Sequence, residues 1–326
     1  MPLSWFKKEK KVGATEAPNS EDEVSSQLSS EILDDIKKLH FSTRKIADEA
    51  LLGGYKSTFK GRGIEFEDVR EYIPGDDIRS IDWKVTARSG QAFVKRYREE
   101  RELSVMVAVD VSASAHTGSS NQTRERLAAR VGAVLTMMAM QNGDKVGLVT
   151  HSDQVEKFYP PRKSRNSVWR IIREVMTSGD YNSGTDLFGL NKFLRQVLKR
   201  RSVIFIISDF FDPSFGENLA QLSSKHDVTA VVIEDPLDHS LPNLGLLTVK
   251  DPETGRRTVI DSSQKKVREK YQELQLAHKE QLVKSFRKYG VGSIWLGTDK
   301  DFIPAIRSYF LSKERGRKLP LAVAKR

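Results

Sequence analysis

The feature that most constrains the fold is an apolar run, Val105 to Val109, which ends in Asp110, Ser112 and Ser114. An unbroken apolar run is typical of a parallel strand that is covered on both faces. In open α/β sheets ligands bind outside the carboxyl ends of strands, so oxygen-bearing side chains there are well placed for a site. Such oxygens suit Mg²⁺, which prefers octahedral oxygen coordination. The alternative interpretation is a turn in which Asp110 and the serines bond only the local backbone.

Strand-like and helix-like segments alternate along most of the remaining chain. A second apolar run, Val203 to Ile207, also leads into an acidic loop, at Asp209. This alternation predicts a doubly wound, mostly parallel Rossmann-type sheet, with Val155 to Tyr159 as an edge strand. We therefore predict an α/β domain over residues 101–312.

The regions outside this domain have different compositions. Residues 1–26 lack periodicity and are predicted to be a disordered tail, and the basic residues 313–326 a solvated one. Residues 27–100 predict a helical and irregular β subdomain in which acids and bases interleave with Ile, Trp and Phe. We expect internal Arg–carboxylate pairs there, with Arg79 among the bracing residues. A solvated charged face is the alternative.

Composition narrows the functional classes. The 326 residues include no Cys, which excludes disulfides and thiolate metal sites. No apolar run could span a bilayer and no signal peptide is evident, so we predict a cytoplasmic protein. Trp5 and Phe6, followed by lysines, could contact an anionic membrane surface peripherally. Much of the net charge of +10 lies in the tails and no nucleic-acid motif is present, so we expect no nucleic-acid partner.

Three polar loop features could form one metal site. They are Asp110-x-Ser112-x-Ser114, Thr185 in a Gly-containing loop, and Asp209 after the second apolar run. If all three loops lie at the carboxyl edge, they supply only hydroxyl and carboxylate oxygens, which favour Mg²⁺ or Mn²⁺ over zinc or copper.

This ordered set resembles the metal-ion-dependent adhesion site of von Willebrand factor A domains. The resemblance implies that Ser112, Ser114 and Thr185 bind the metal directly. It also implies that Asp110 and Asp209 act largely through water, and that a Glu or Asp of a partner takes an open coordination position.

The block from Tyr55 to Glu100 carries a second resemblance. It contains Gly-Arg-Gly-Ile-Glu-Phe, Arg-Glu-Tyr, Pro-Gly-Asp-Asp-Ile-Arg, Ile-Asp-Trp and Thr-Ala-Arg in that order. These motifs resemble those of a bacterial domain-of-unknown-function family, number fifty-eight, over about residues 28–300. The resemblance implies a von Willebrand factor A-like domain and an adaptor role beside a MoxR-type AAA+ ATPase or its client, with no established catalysis. Many such relatives have amino-terminal membrane helices, which we do not see here.

Enzymatic alternatives are less well supported by the residues. An aspartate-nucleophile phosphatase would use Asp110, but its general acid would fall at Ser112, which cannot serve that role. No Gly-x-Ser-x-Gly motif indicates a serine hydrolase. The six His residues show no metal-ligand spacing. We therefore predict a non-enzymatic, Mg²⁺-dependent protein-interaction module without catalytic residues.

Overall fold

The computed structural model describes residues 55, 58, 63–100, 103–120, 122–164, 166–177, 183–212, 215–252, 255–314 and 322–323. The predictions for the tail over residues 1–26, for the helices before residue 54 and for the basic tail beyond residue 314 lie outside these residues.

The described part of the amino-terminal subdomain is an antiparallel hairpin with a short helix in its connection. The hairpin has a register shift between Phe66 and Asp68. The helix begins at the cap Asp82, whose side chain accepts from the backbone N–H of Lys84 and Val85, and ends at Gly90, where φ is 75°. Its elements are β1 (Gly63–Glu71), a 3₁₀ turn (Ile78–Ser80), α1 (Trp83–Ser89) and β2 (Phe93–Glu100).

A bidentate ion pair holds the turn of this hairpin. The Arg70 guanidinium donates to both carboxylate oxygens of Asp76, at 2.7 Å each. Arg79, which we expected to brace the subdomain, is exposed, and no carboxylate of the described residues lies within ion-pair distance of it. The structure shows no such brace at Arg79, because the neighbouring Asp77 caps the 3₁₀ turn by accepting from the Arg79 backbone N–H.

The strands of the central sheet are β3 (Ser104–Asp110), β4 (Lys145–His151), β5 (Val155–Arg162), β6 (Val203–Ser208), β7 (Asp227–Glu234), β10 (Gly292–Gly297) and β11 (Ala322–Val323). They lie in the order β10-β7-β6-β3-β4-β5, with the two-residue β11 beside β10. Neighbouring strands are parallel except for β4 and β5, so β5 is an antiparallel edge strand. The predicted mostly parallel sheet of a mixed α/β protein is therefore confirmed. A separate hairpin consists of β8 (Leu246–Lys250) and β9 (Arg257–Asp261).

Helices cover both faces of this sheet, which explains the apolar runs in its central strands. Val105, Val107 and Val109 of β3 pack in one core and Met106 and Ala108 in the other, and all five are fully buried. Each such valine contributes roughly 1.5–3 kcal/mol through burial. The helices are α2 (Arg124–Gln141), α3 (Ser167–Thr177), α4 (Leu187–Val197), α5 (Gly216–Lys225), α6 (Pro236–His239), α7 (Lys265–Lys288) and α8 (Ile303–Glu314). In the described part of the chain, none of them is both long and apolar enough to cross a membrane.

Candidate metal site at the carboxyl edge of the sheet

Three loops meet where the central strands end. Asp110 is the last residue of β3, and Ser112 caps the short 3₁₀ helix that contains Ser114. Thr185 lies just before α4, and Asp209 directly follows β6. Because β3 and β6 are adjacent and parallel, their carboxyl ends lie at the same edge.

The structure brings all five predicted site residues into one cluster. The Thr185 Oγ1 lies 2.9 Å from the Ser112 Oγ, which lies 3.1 Å from the Ser114 Oγ. Thr185 Oγ1 is also 3.4 Å from a carboxylate oxygen of Asp110. Asp209 lines the same small cavity as Ser114 and Asp110. Metal binding by this cluster stays a prediction.

Backbone hydrogen bonds between the loops hold the cluster together. The Ala113 N–H donates to the Ser183 carbonyl at 3.0 Å, which ties the β3 loop to the Thr185 loop. The Asp186 N–H donates to the Ser152 carbonyl at 2.8 Å, which ties the Thr185 loop to the end of β4. These contacts are long-range, so local sequence patterns do not reveal them.

Ser208 and Phe210 are site residues that the sequence analysis missed. The Ser208 Oγ donates to Asp110 at 2.7 Å and accepts from the Phe210 N–H at 3.1 Å. Phe210 has φ of 59° and is fully buried against Phe215 and Phe286. A left-handed conformation is costly for a bulky residue and persists only where packing enforces it. Ser208 could have been found as a strand-end hydroxyl, whereas nothing local marks Phe210.

The two carboxylates of the site are buried next to each other. Asp110 is 3% exposed and Asp209 is 8% exposed. Burial, and then the negative charge of Asp110, raise the pKa of Asp209 to about 6. Arg124 opposes this shift, but its guanidinium is bonded at 2.6 and 2.7 Å to Asp238. Among the described residues, no Lys or Arg forms an ion pair with either site carboxylate.

His151 is a further missed neighbour of the site. It pairs with Asp110 in the register of β3 and β4 and is 1% exposed. Burial lowers the pKa of His151, although the charge of Asp110 opposes that shift. In the sequence, the only indication of a role for His151 was its position at the end of a predicted strand. The spacing of the His residues matches no metal-binding motif.

The donor set of this cluster is dominated by hydroxyl groups. Across the residues that the structure describes, no group of three or more His, Cys, Asp or Glu side chains could hold a metal ion. The predicted metal site is not such a group, because its ligand set combines three hydroxyl groups with two carboxylates.

The fold and this cluster together define a class: an α/β protein with a hydroxyl- and carboxylate-rich site at the carboxyl edge of a mostly parallel sheet. The chain belongs to the family described as "Protein of unknown function DUF58", whose profile matches residues 68–281. The predicted family is therefore confirmed, and its description names no activity.

Similar proteins are themselves uncharacterized. "Uncharacterized protein Rv1480" of Mycobacterium tuberculosis is 29% identical over 86% of this chain and 89% of its own length. "Uncharacterized protein MAV169" of Mycobacterium avium is 30% identical over 48% of this chain and 94% of its own.

Two solved structures are distantly similar to this chain. The conserved hypothetical protein BatB from Bacteroides thetaiotaomicron has a TM-score of 0.41 at 13% identity, over 66% of this chain and 99% of that one. An aerotolerance-related membrane protein from Bacteroides fragilis has a TM-score of 0.42 at 15% identity, over 66% of this chain and 99% of that one. These values carry no argument about function.

Proposed function

We propose that this protein is a non-enzymatic, metal-dependent protein-interaction module. Ser112, Ser114 and Thr185 would hold Mg²⁺ or Mn²⁺, and Asp110 and Asp209 would orient the hydroxyls and bind through water. An acidic side chain of a partner would complete the coordination. The fold would then be of the von Willebrand factor A type.

The spacing of the three hydroxyls is the observation that carries this proposal. Magnesium binds oxygens at 2.0–2.1 Å in octahedral geometry, so neighbouring ligand oxygens are about 3 Å apart. The two hydroxyl separations given above, 2.9 and 3.1 Å, match that spacing. The Thr185 hydroxyl has one hydrogen to donate, either to Ser112 or to Asp110, and its lone pairs can face a cation.

Electrostatics supports the same proposal. Two adjacent buried carboxylates repel each other, and a divalent cation would offset that repulsion. When bound, the cation would supply the positive charge that attracts a carboxylate of the partner. Phe188, in the first turn of α4, and Phe211, on the loop that carries Asp209, are 44% and 42% exposed and offer apolar contact beside it.

The proposed partner is a MoxR-type AAA+ ATPase or its client. This assignment depends on the family resemblance, and the site adds the expectation that the partner contributes a Glu or Asp. The purified protein should bind a MoxR-type ATPase that is encoded in the same genome when Mg²⁺ is present. This binding should be lost when EDTA removes the metal. Wild-type affinity in EDTA would contradict the metal-dependent mode.

Calorimetric titration of the full chain with Mg²⁺ and Mn²⁺ tests the site directly. Asp110→Ala and Ser112→Ala should each lower the affinity at least about 100-fold, which equals about 2.7 kcal/mol. Asp299→Ala is the matched control, because Asp299 follows β10 at the same edge but is exposed. Equal affinity in all four proteins would remove the site.

The alternative, an aspartate-nucleophile phosphatase, makes a different prediction. It requires hydrolysis of a generic phosphate ester that disappears in Asp110→Asn. In the structure Asp110 accepts hydrogen bonds from the Ser112 N–H at 3.0 Å and from the Ser208 hydroxyl. Each oxygen keeps a further lone pair, so these bonds alone do not exclude a nucleophile. We favour the binding module because the position of the general acid is taken by Ser112, which cannot serve that role.

A further inference from the structure

A cluster of cationic side chains lies along the outer edge strand of the sheet, two strands away from β3. β5 contributes Lys157 and Arg162, and the helix α3 contributes Arg170 and Arg173. We call these four residues the edge cation cluster.

Among the described residues, the acid inside the cluster is Glu174, and two members of the cluster already pair with it. Glu174 is 3% exposed, and the Lys157 Nζ lies 2.6 Å from one of its oxygens. The Arg173 Nε donates to the other oxygen at 2.9 Å. These bonds lower the pKa of Glu174 even though burial opposes that change. The close ion pairs of Glu174 are therefore with Lys157 and Arg173 and not with the other two arginines.

Arg170 and Arg162 are the uncompensated members. The Arg170 guanidinium is half-buried and lies 4.9 Å from the centre of the Tyr159 ring. Among the described residues no carboxylate lies within ion-pair distance of Arg170 or Arg162. Burial lowers the pKa of Arg170. The charges of Tyr159 and Glu174 oppose that shift, and those of Arg173 and Arg162 add to it.

We propose that the edge cation cluster binds a phosphoryl group. Four cations around one carboxylate leave three positive charges in excess, which suits a multiply charged oxyanion better than a single carboxylate. Arginine binds phosphate oxygens through two parallel N–H groups, and stacking on Tyr159 orients the Arg170 fork.

The edge strand itself favours a compact ligand over an added β-strand. Pro160 and Pro161 lie within β5 and have no N–H to donate, which blocks strand pairing along this edge. β5 also runs antiparallel to β4, so Arg162 lies opposite Val146, toward the amino end of β4. The cluster and the metal site can therefore be tested independently.

Calorimetric titration of the full chain with pyrophosphate, at low ionic strength and in EDTA, tests this proposal. EDTA removes any contribution of a metal ion at the carboxyl edge. Wild-type protein should bind one pyrophosphate, and Arg170→Ala should lower the affinity at least 10-fold. Arg162→Ala should also weaken binding, and because its side chain is exposed this variant should fold normally.

Arg287→Ala is the matched control, since it removes the same charge from an exposed position on α7. Its affinity should equal that of the wild type. A phosphoserine peptide titrated in parallel shows whether a free phosphate compound or a phosphorylated protein segment binds more tightly. Tighter binding of either probe supports the proposal, provided that this binding is weakened by Arg170→Ala and by Arg162→Ala. No binding by the wild type, or equal losses in Arg162→Ala and Arg287→Ala, would overturn it.

Discussion

The two edges of the central sheet treat buried acids differently. At the amino edge, Asp144 is 2% exposed and accepts from the Tyr55 hydroxyl at 2.9 Å and the Leu103 N–H at 3.0 Å. At the carboxyl edge, Asp110 and Asp209 line one cavity and accept from backbone N–H groups and from hydroxyls. The amino edge is thus completed by fixed donors, whereas the carboxyl edge keeps a repelling pair that a cation would relieve.

A second acid at the amino edge follows the same pattern as Asp144. Asp227, the first residue of β7, pairs with the Lys313 Nζ at 2.6 Å. Beside it, the Thr229 and Tyr309 hydroxyls lie 2.8 Å apart in the core. The contrast is therefore between acids that donors of the chain or a lysine satisfy and the pair Asp110 and Asp209, which a cation would relieve.

The largest effect should come from the amino edge. Asp144→Ala should lower the free energy of unfolding by about 4 kcal/mol, because it leaves the Tyr55 hydroxyl, the Leu103 N–H and the Asn142 amide without their acceptor at about 1–3 kcal/mol each. Urea denaturation measures this loss. The exposed Asp299→Ala should stay within about 0.5 kcal/mol of the wild type. A loss below about 1 kcal/mol for Asp144→Ala would break the comparison.

A substitution at the carboxyl edge should have the opposite sign. The folded-state pKa of Asp209 is raised from 3.8 to about 6, so its ionised form costs about 3 kcal/mol at pH 8. Asp209→Asn should therefore raise the free energy of unfolding at pH 8 in EDTA. The gain should shrink as the pH falls from about 6 to about 4, where the wild-type carboxyl is protonated in the folded state. Destabilisation at pH 8 would contradict the like-charge interpretation.

Lowering the pH should also distinguish the two edges, because the amino edge contains a buried histidine whose protonation reduces the stability of the fold. His226 lies beside the start of β7, and burial, with help from Lys225 and Arg201, lowers its pKa from 6.5 to about 4. A depressed folded-state pKa gives stability that is present above pH 6.5 and lost as the pH falls toward 4. His226→Gln should remove about 2 kcal/mol of that acid-induced loss, measured by denaturation at pH 7 and pH 4.5. An unchanged pH profile would assign the loss to other groups.

The smallest effect should be found in the hairpin of β1 and β2. Arg70→Ala should lower the melting temperature slightly, because it breaks the bidentate pair with Asp76. Arg79→Ala should leave the melting temperature unchanged, because Arg79 is exposed and has no carboxylate partner among the described residues. Differential scanning calorimetry of both variants, which lose the same charge, makes the comparison. A larger fall for Arg79→Ala would restore it as the brace.

The sequence analysis succeeded where local patterns have one structural outcome. The apolar run of β3 can only be a strand covered on both faces, and the polar residues after β3 and β6 follow from parallel strand ends meeting at one edge. It failed where distant contacts decide. The left-handed Phe210, the hydrogen bond from Ser208 to Asp110 and the position of His151 all depend on neighbours remote in the chain.

By itself the sequence determined the α/β alternation, the family and the five oxygen-bearing residues of the candidate site, because periodicity and residue chemistry are local properties. Only the tertiary structure decided that β6 lies beside β3, which brings Thr185, Ser112 and Asp209 together from three separate loops. It also decided which buried acids receive fixed donors and which repel each other. Strand order and burial arise from the packing of the whole chain, and they set the electrostatic environment of each carboxylate.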